Sequence, residues 1–187
     1  MENKDIKMEN QVLLDIAKKA IQKRFDESIL IDKEKLLKDF PKLKNIGATF
    51  VTLTLDGQLR GCIGTLYAYR SLLDDLISNS YATTFEDPRF YELSLEEFEK
   101  INVEISILTA PIEIIYKDLE DLKSKLKPNI HGVILQYHGR KSTFLPQVWE
   151  QLPTFEDFFA HLCHKGSFEI DLDFHPQIFI YEVKKIK

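Results

Sequence analysis

The chain has 187 residues, with 25 basic and 30 acidic side chains and a formal charge of -5 when histidine is neutral. Hydrophobic residues make up 44% and charged residues 29%, which excludes a disordered, collagen-like or low-complexity polymer. The basic residues form no long block, so nucleic acid and acidic membranes are disfavoured as partners. No run approaches the roughly eighteen apolar residues of a membrane span.

Val12, Leu13, Ile16, Ala17, Ala20 and Phe25 recur at helical spacing and predict a surface helix from Glu9 to about Asp26. The residues ahead of it pass from charge straight into this pattern without the apolar stretch of a signal peptide, so a cytoplasmic protein is expected. Asp32 caps a shorter helix that Pro41 closes. Thr49 to Leu55 is β-branched and aromatic, and Asp56-Gly57 signals a tight hairpin before Gln58 to Ile63. Leu72, Leu73, Leu76, Ile77 and Tyr81 predict a helix capped by Ser71, broken at FEDPRF. Ser94 with Glu97 three residues on forms a capping box.

INVEISILTAPIEI alternates and predicts a half-buried strand that bends at Pro111. KDLEDLKSKLKP is a brief helix, HGVILQYHGRKSTFLPQV a strand pair turning at His138-Gly139, and FEDFFAHLCHKG a helix capped by Thr154. PQIFIYEVKKI closes the chain as a strand. The fold class expected is α/β of the α+β type: a mixed, largely antiparallel sheet with flanking helices. One domain spans residues 9–187, with room for a smaller lobe built from inserted segments.

The segment Leu59-Arg60-Gly61-Cys62-Ile63-Gly64 concentrates chemistry. In an extended strand Arg60 and Cys62 share a face, while Gly61 and Gly64 leave room for a backbone or ligand. A guanidinium beside a thiol favours thiolate or orients an anion; equally, a small buried cysteine packs beside a structural arginine. His131 is a candidate base for Cys62, and Glu104 a carboxylate on a neighbouring strand. Arg89, in Asp87-Pro88-Arg89-Phe90, either pairs locally or faces substrate beside Arg60. Gln147, in Phe144-Leu145-Pro146-Gln147-Val148, offers a bidentate amide. His161 and His164 share a helix face but lack a full ligand set, so no metal is expected. No cofactor motif is present, since Gly61 and Gly64 lack the rest of a phosphate-loop or dinucleotide fingerprint. Cys62 and Cys163 form no disulfide framework by spacing.

LRGCIG, GATFVTL, DPRF, EISIL, HG and FLPQV occur in an order that resembles the AMMECR-type domain family, whose prokaryotic members are also called AmmeMemoRadiSam system protein A. The resemblance runs from about residue 9 to the last strand. It implies one compact α/β unit with a smaller lobe, and it implies Memo-type and radical SAM proteins as partners in a modification or small-molecule pathway. The family pattern singles out Arg60, Gly61, Cys62, Ile63, Gly64, Asp87, Pro88, Arg89, Glu104, His131, Gly132, Pro146 and Gln147. The chain departs from it at Lys165-Gly166-Ser167-Phe168, where the family carries a lysine-alanine-glycine-leucine type segment. Two functions follow. In the first, which ranks slightly ahead, a binding component holds a small anionic ligand or peptide through Arg60, Gly61, Gly64, Arg89, Glu104 and Gln147. In the second, an enzyme uses Cys62 as nucleophile, His131 as base and Arg60 as anion clamp.

Overall fold

The computed structural model describes residues 2–169 and 174–187. The chain divides into two compact units, the first running to Leu108 and taking back Lys184–Lys187, the second comprising Thr109–Val183.

The first unit opens with helix α1 (Glu2–Gln22). Its buried stripe of Leu13, Ile16, Ala17, Ala20 and Ile21 matches the periodicity expected of it. The helix ends four residues short of the expected Asp26, because tighter turns take over at Arg24 and Phe25. Phe25 still reaches the core, its ring 5.8 Å from those of Phe85 and Phe98. Helix α2 (Lys33–Asp39) starts at the Asp32 cap and gives way to a 3-10 turn, Pro41–Lys44. Strands β1 (Ile46–Leu55) and β2 (Gln58–Gly64) form the hairpin, with Asp56 at φ 50 and Gly57 at φ 77 as a two-residue left-handed turn requires. After the short β3 (Arg70–Ser71) come α3 (Leu72–Phe85), α4 (Leu95–Phe98) and β4 (Asn102–Leu108).

The sheet order is β2-β1-β4, with β3 pairing the start of β1 and the last strand of the chain at the far edge. Val51, Leu53, Val103 and Ile105 bury one face against α1 and α3. A polar plug interrupts that apolar layer. The fully buried Asp75 of α3 accepts from the Thr49 N–H and hydroxyl at 2.7 and 2.8 Å, from Asn79 at 2.9 Å, and from Thr65 and Arg70 at 2.8 Å each. Every donor finds this carboxylate, which ties α3 to β1 in one register.

The second unit holds β5 (Ile112–Ile114), α5 (Leu119–Lys125), β6 (Gly132–Tyr137), β7 (Arg140–Phe144), α6 (Phe155–Lys165) and β8 (Gln177–Tyr181). Its sheet runs β5-β8-β6-β7, antiparallel throughout. Trp149 stacks on Phe158 at 3.7 Å between ring centroids, in a core completed by Leu122, Val133, Leu135, Leu162 and Ile178.

The largely antiparallel α/β class holds, but two sheets replace the one expected. INVEISILTAPIEI is two strands because Thr109, Ala110 and Pro111 break the ladder between β4 and β5. PQIFIYEVKKI breaks at Glu182, so β8 and β9 (Val183–Ile186) belong to different sheets. Both breaks meet: Thr109 N–H donates to the Glu182 carbonyl at 3.0 Å, and Glu182 N–H to the Thr109 hydroxyl at 2.9 Å. Among the described residues no helix is long and apolar enough to cross a membrane.

Candidate functional site

The hairpin carries the motif to the edge of the first sheet, and a β-bulge decides where its side chains go. Leu53 pairs with Gly61 and Thr54 with Leu59, so Arg60 has no partner on β1. The register of the hairpin shifts by one residue at this point. Arg60 turns to the segment after α3, where Nε and Nη2 donate to Glu97 at 2.8 and 2.9 Å and Nη2 also reaches the carbonyls of Tyr91 and Glu92. The guanidinium lies 5.8 Å from the Phe90 ring centre. The Arg60 hydrogen bonds, with the Ser94 N–H, hold the Glu97 carboxyl down at about 2 against the opposing effect of burial. Glu97 therefore closes the α4 capping box and neutralises Arg60 with one side chain.

Cys62 is fixed by its backbone. At the sheet edge its N–H and carbonyl are not taken by β1, and the Asp87-Pro88-Arg89 turn supplies both partners from side chains. Asp87 Oδ2 accepts from Cys62 N–H at 2.9 Å, and Arg89 Nη2 donates to the Cys62 carbonyl at 2.9 Å. Asp87 and Arg89 also bind each other, Nη2 to Oδ2 at 2.7 Å and Nε to Oδ1 at 2.9 Å. Arg89 is the main reason the Asp87 carboxyl sits far below the usual carboxylate range. Two side chains stand in for a missing strand and protect an otherwise open edge.

The thiol belongs to a row across three strands. Thr52 is opposite Cys62 on one side and Glu104 on the other, which puts the three on the sheet face away from α3. The Thr52 hydroxyl donates to Cys62 Sγ at 3.3 Å. Glu104 is met by Lys187 at 2.8 Å and Lys185 at 3.8 Å. The room beside the two glycines is taken by the protein itself: a Cβ at Gly61 would strike the Thr83 carbonyl, and one at Gly64 the Phe50 ring.

His131 and Gln147 belong to the second unit. His131 Nδ1 accepts the Lys127 N–H at 3.2 Å, and its carbonyl accepts Trp149 Nε1–H at 2.9 Å. Burial, then the Lys127 charge, lowers the imidazole below its ordinary value, so it is neutral and its Nδ1 lone pair is engaged. Gln147 lies in the 3-10 turn Pro146–Glu150 with a buried Oε1 that no described residue meets. His161 and His164 are exposed on α6, and burial pushes the Cys163 thiol up to about 11. Among the described residues no group of three or more metal-binding side chains is assembled.

Three contributors escape a reading of the sequence: Thr52, Glu97 and the bulge. The capping box marks Glu97 only as a helix start, and nothing local ties it to Arg60. Thr52 sits inside GATFVTL, where alternation puts it on the less buried face without naming its neighbour.

The AMMECR1 family matches residues 14–186. A protein of Methanothermobacter thermautotrophicus is 30% identical over 179 residues, 92% of this chain and 90% of its own. One from Saccharolobus solfataricus is 37% identical over 172 residues, 86% of this chain and 72% of its own. The crystal structure of an uncharacterized protein from Pyrococcus horikoshii matches with a TM-score of 0.79 at 27% identity, covering 93% of this chain and 88% of that one. With the Arg60–Cys62 motif on its bulged edge strand and a family match over nearly its whole length, the chain belongs to the AMMECR1 family.

Proposed function

We propose that this protein is a noncatalytic binding component of a modification or small-molecule pathway, taking a peptide segment of a partner protein on the face that carries Cys62, Thr52 and Glu104. The observation that carries this reading is charge pairing: Arg60 with Glu97, Arg89 with Asp87, and Glu104 with Lys187. A small anion would have to displace a carboxylate already held by Arg60 or Arg89, and breaking such a pair is costly. A peptide segment needs only donors and acceptors, which the Thr52 hydroxyl, the thiol and the outer edges of Arg89 and Glu104 offer. Catalysis by Cys62 would need a base at the sulfur; Sγ accepts from the Thr52 hydroxyl, and the cation beside it, Arg89, is already held by Asp87. Memo-type and radical SAM proteins are the partners to test, because the family resemblance implies them.

The experiment is calorimetric titration of the purified chain with the Memo-type and radical SAM proteins of the same genome. Glu104→Lys should weaken binding by about tenfold or more, and Cys62→Ser should leave it within about threefold. In parallel, Cys62 alkylation is followed in a Cys163→Ser background, where Arg60→Ala should change the rate by no more than about twofold. Fast alkylation of Cys62 that collapses on Arg60→Ala would overturn the binding reading in favour of a cysteine-dependent enzyme.

A further inference from the structure

On the opposite, helix-bearing side of the first sheet, the helical layer is incomplete. Where α1, the Pro41–Lys44 turn and the start of α3 come together, they leave a cavity of about 310 Å³. Its floor is the buried core at Leu13 and Leu43, and Phe40 and Ile107 wall it. Its volume is at the lower end of the range for small-molecule sites, which are apolar with a few polar groups setting orientation.

The polar groups at this cavity come in two kinds. Lys42 and Glu9 are already joined, Nζ to Oε1 at 2.9 Å. Lys184 and Asp39 also line the cavity, both exposed, and among the described residues neither makes an ion pair. Alternation along β9 explains Lys184. Lys185 and Lys187 reach Glu104 on the other face, while Ile186 enters the helix-side core, so Lys184, two residues before Ile186, is turned to the cavity side. The lining thus presents an apolar hollow, one uncommitted ammonium and one uncommitted carboxylate.

We infer that this cavity binds a free apolar α-amino acid, its side chain on Leu13, Leu43 and Ile107, its carboxylate toward Lys184 and its ammonium toward Asp39. The zwitterion matches the two rim charges and adds no net charge to the site, whereas a simple carboxylic acid would face Asp39 and a simple amine would face Lys184. This inference is independent of the peptide-binding reading of the other face.

The test is isothermal titration of the intact protein with leucine, 4-methylpentanoate and isopentylamine, three probes with one apolar body and different charges. Leucine should bind at least about tenfold more tightly than either analogue. Lys184→Gln should erase its advantage over isopentylamine, and Asp39→Asn its advantage over 4-methylpentanoate. Val12→Trp, which fills the cavity from α1, should abolish binding of all three. A readout that needs no variant is acetylation of surface lysines followed by mass spectrometry: saturating leucine should slow modification of Lys184 and leave Lys185 unchanged. No saturable binding of leucine up to about 10 mM, equal affinity for leucine and either analogue, or unprotected Lys184 at saturation would each overturn the assignment.

Discussion

The clamp on Cys62 makes the sharpest quantitative prediction. The Asp87 side chain is only 2% exposed and takes four N–H groups: Cys62 N–H, Arg89 N–H at 3.1 Å, and two from the Arg89 guanidinium. In Asp87→Ala the Cys62 amide faces no acceptor, which costs about 1–3 kcal/mol for a partly buried donor. The Arg89 guanidinium also loses its partner, but its side chain is 53% exposed and rehydrates, so it adds at most about 1 kcal/mol. The expected loss is about 1–4 kcal/mol for the first unit, with Asp87→Asn losing roughly half of that because its amide oxygen still accepts from Cys62.

Urea unfolding followed by far-ultraviolet circular dichroism measures that loss, and hydrogen exchange at the Cys62 amide locates it: exchange should quicken by about tenfold or more. The pH dependence provides a second check. A carboxylate whose folded pKa is depressed stabilises the fold fully above its unfolded value of about 3.9 and loses that contribution as pH falls toward the folded one. The gap between wild type and Asp87→Ala should therefore be constant from neutral pH down to about 4 and narrow below it. A loss under about 0.5 kcal/mol, or a gap that ignores acid, would refute the clamp.

Gly61→Ala should destabilise the first unit by about 1–3 kcal/mol, because the added methyl meets the Thr83 backbone carbonyl, which cannot swing away; thermal melts of the variant beside Gly57→Ala, where no atom lies within 4 Å and only the positive φ resists, separate collision from backbone strain. In the second unit, His131 favours its neutral form, so the unfolded chain takes up its proton first and stability should fall as pH drops below about 6.5. Trp149 fluorescence reports that unit, its indole N–H being bound to the His131 carbonyl, and His131→Gln should flatten the acid dependence; an unchanged slope counts against the buried neutral imidazole.

What the sequence disclosed was local. Asp32, Ser71, Ser94 and Thr154 each cap the helix expected of them, since a cap is a contact between residues three apart. The Asp56-Gly57 turn is equally local. Tertiary facts were out of reach. Counting back from that turn in a regular hairpin sets Thr52 opposite Gly61; the bulge shifts the ladder by one and sets Thr52 opposite Cys62. One residue of slip decides whether the hydroxyl meets a thiol or a glycine, and no local propensity marks Arg60 as the residue to be left out. The division of β4 from β5 and β8 from β9 is legible only as Pro111 and an unremarkable Glu182.

The bulge also explains why a motif so rich in chemistry carries so little free charge. Arg60 is left without a strand partner and turns aside to Glu97; the edge left open at Cys62 draws in Asp87 and Arg89. Both arginines are then consumed in making the edge strand and the segment from Asp87 to Glu97 one rigid piece. Substituting either should disturb the position of Cys62 before it disturbs any ligand, so loss of binding in an Arg60 or Arg89 variant says little about recognition. Thr52 and Glu104 differ in this respect. Their side chains close no turn and cap no helix, the sheet holds their backbones, and a partner is read most directly through substitutions at those two positions.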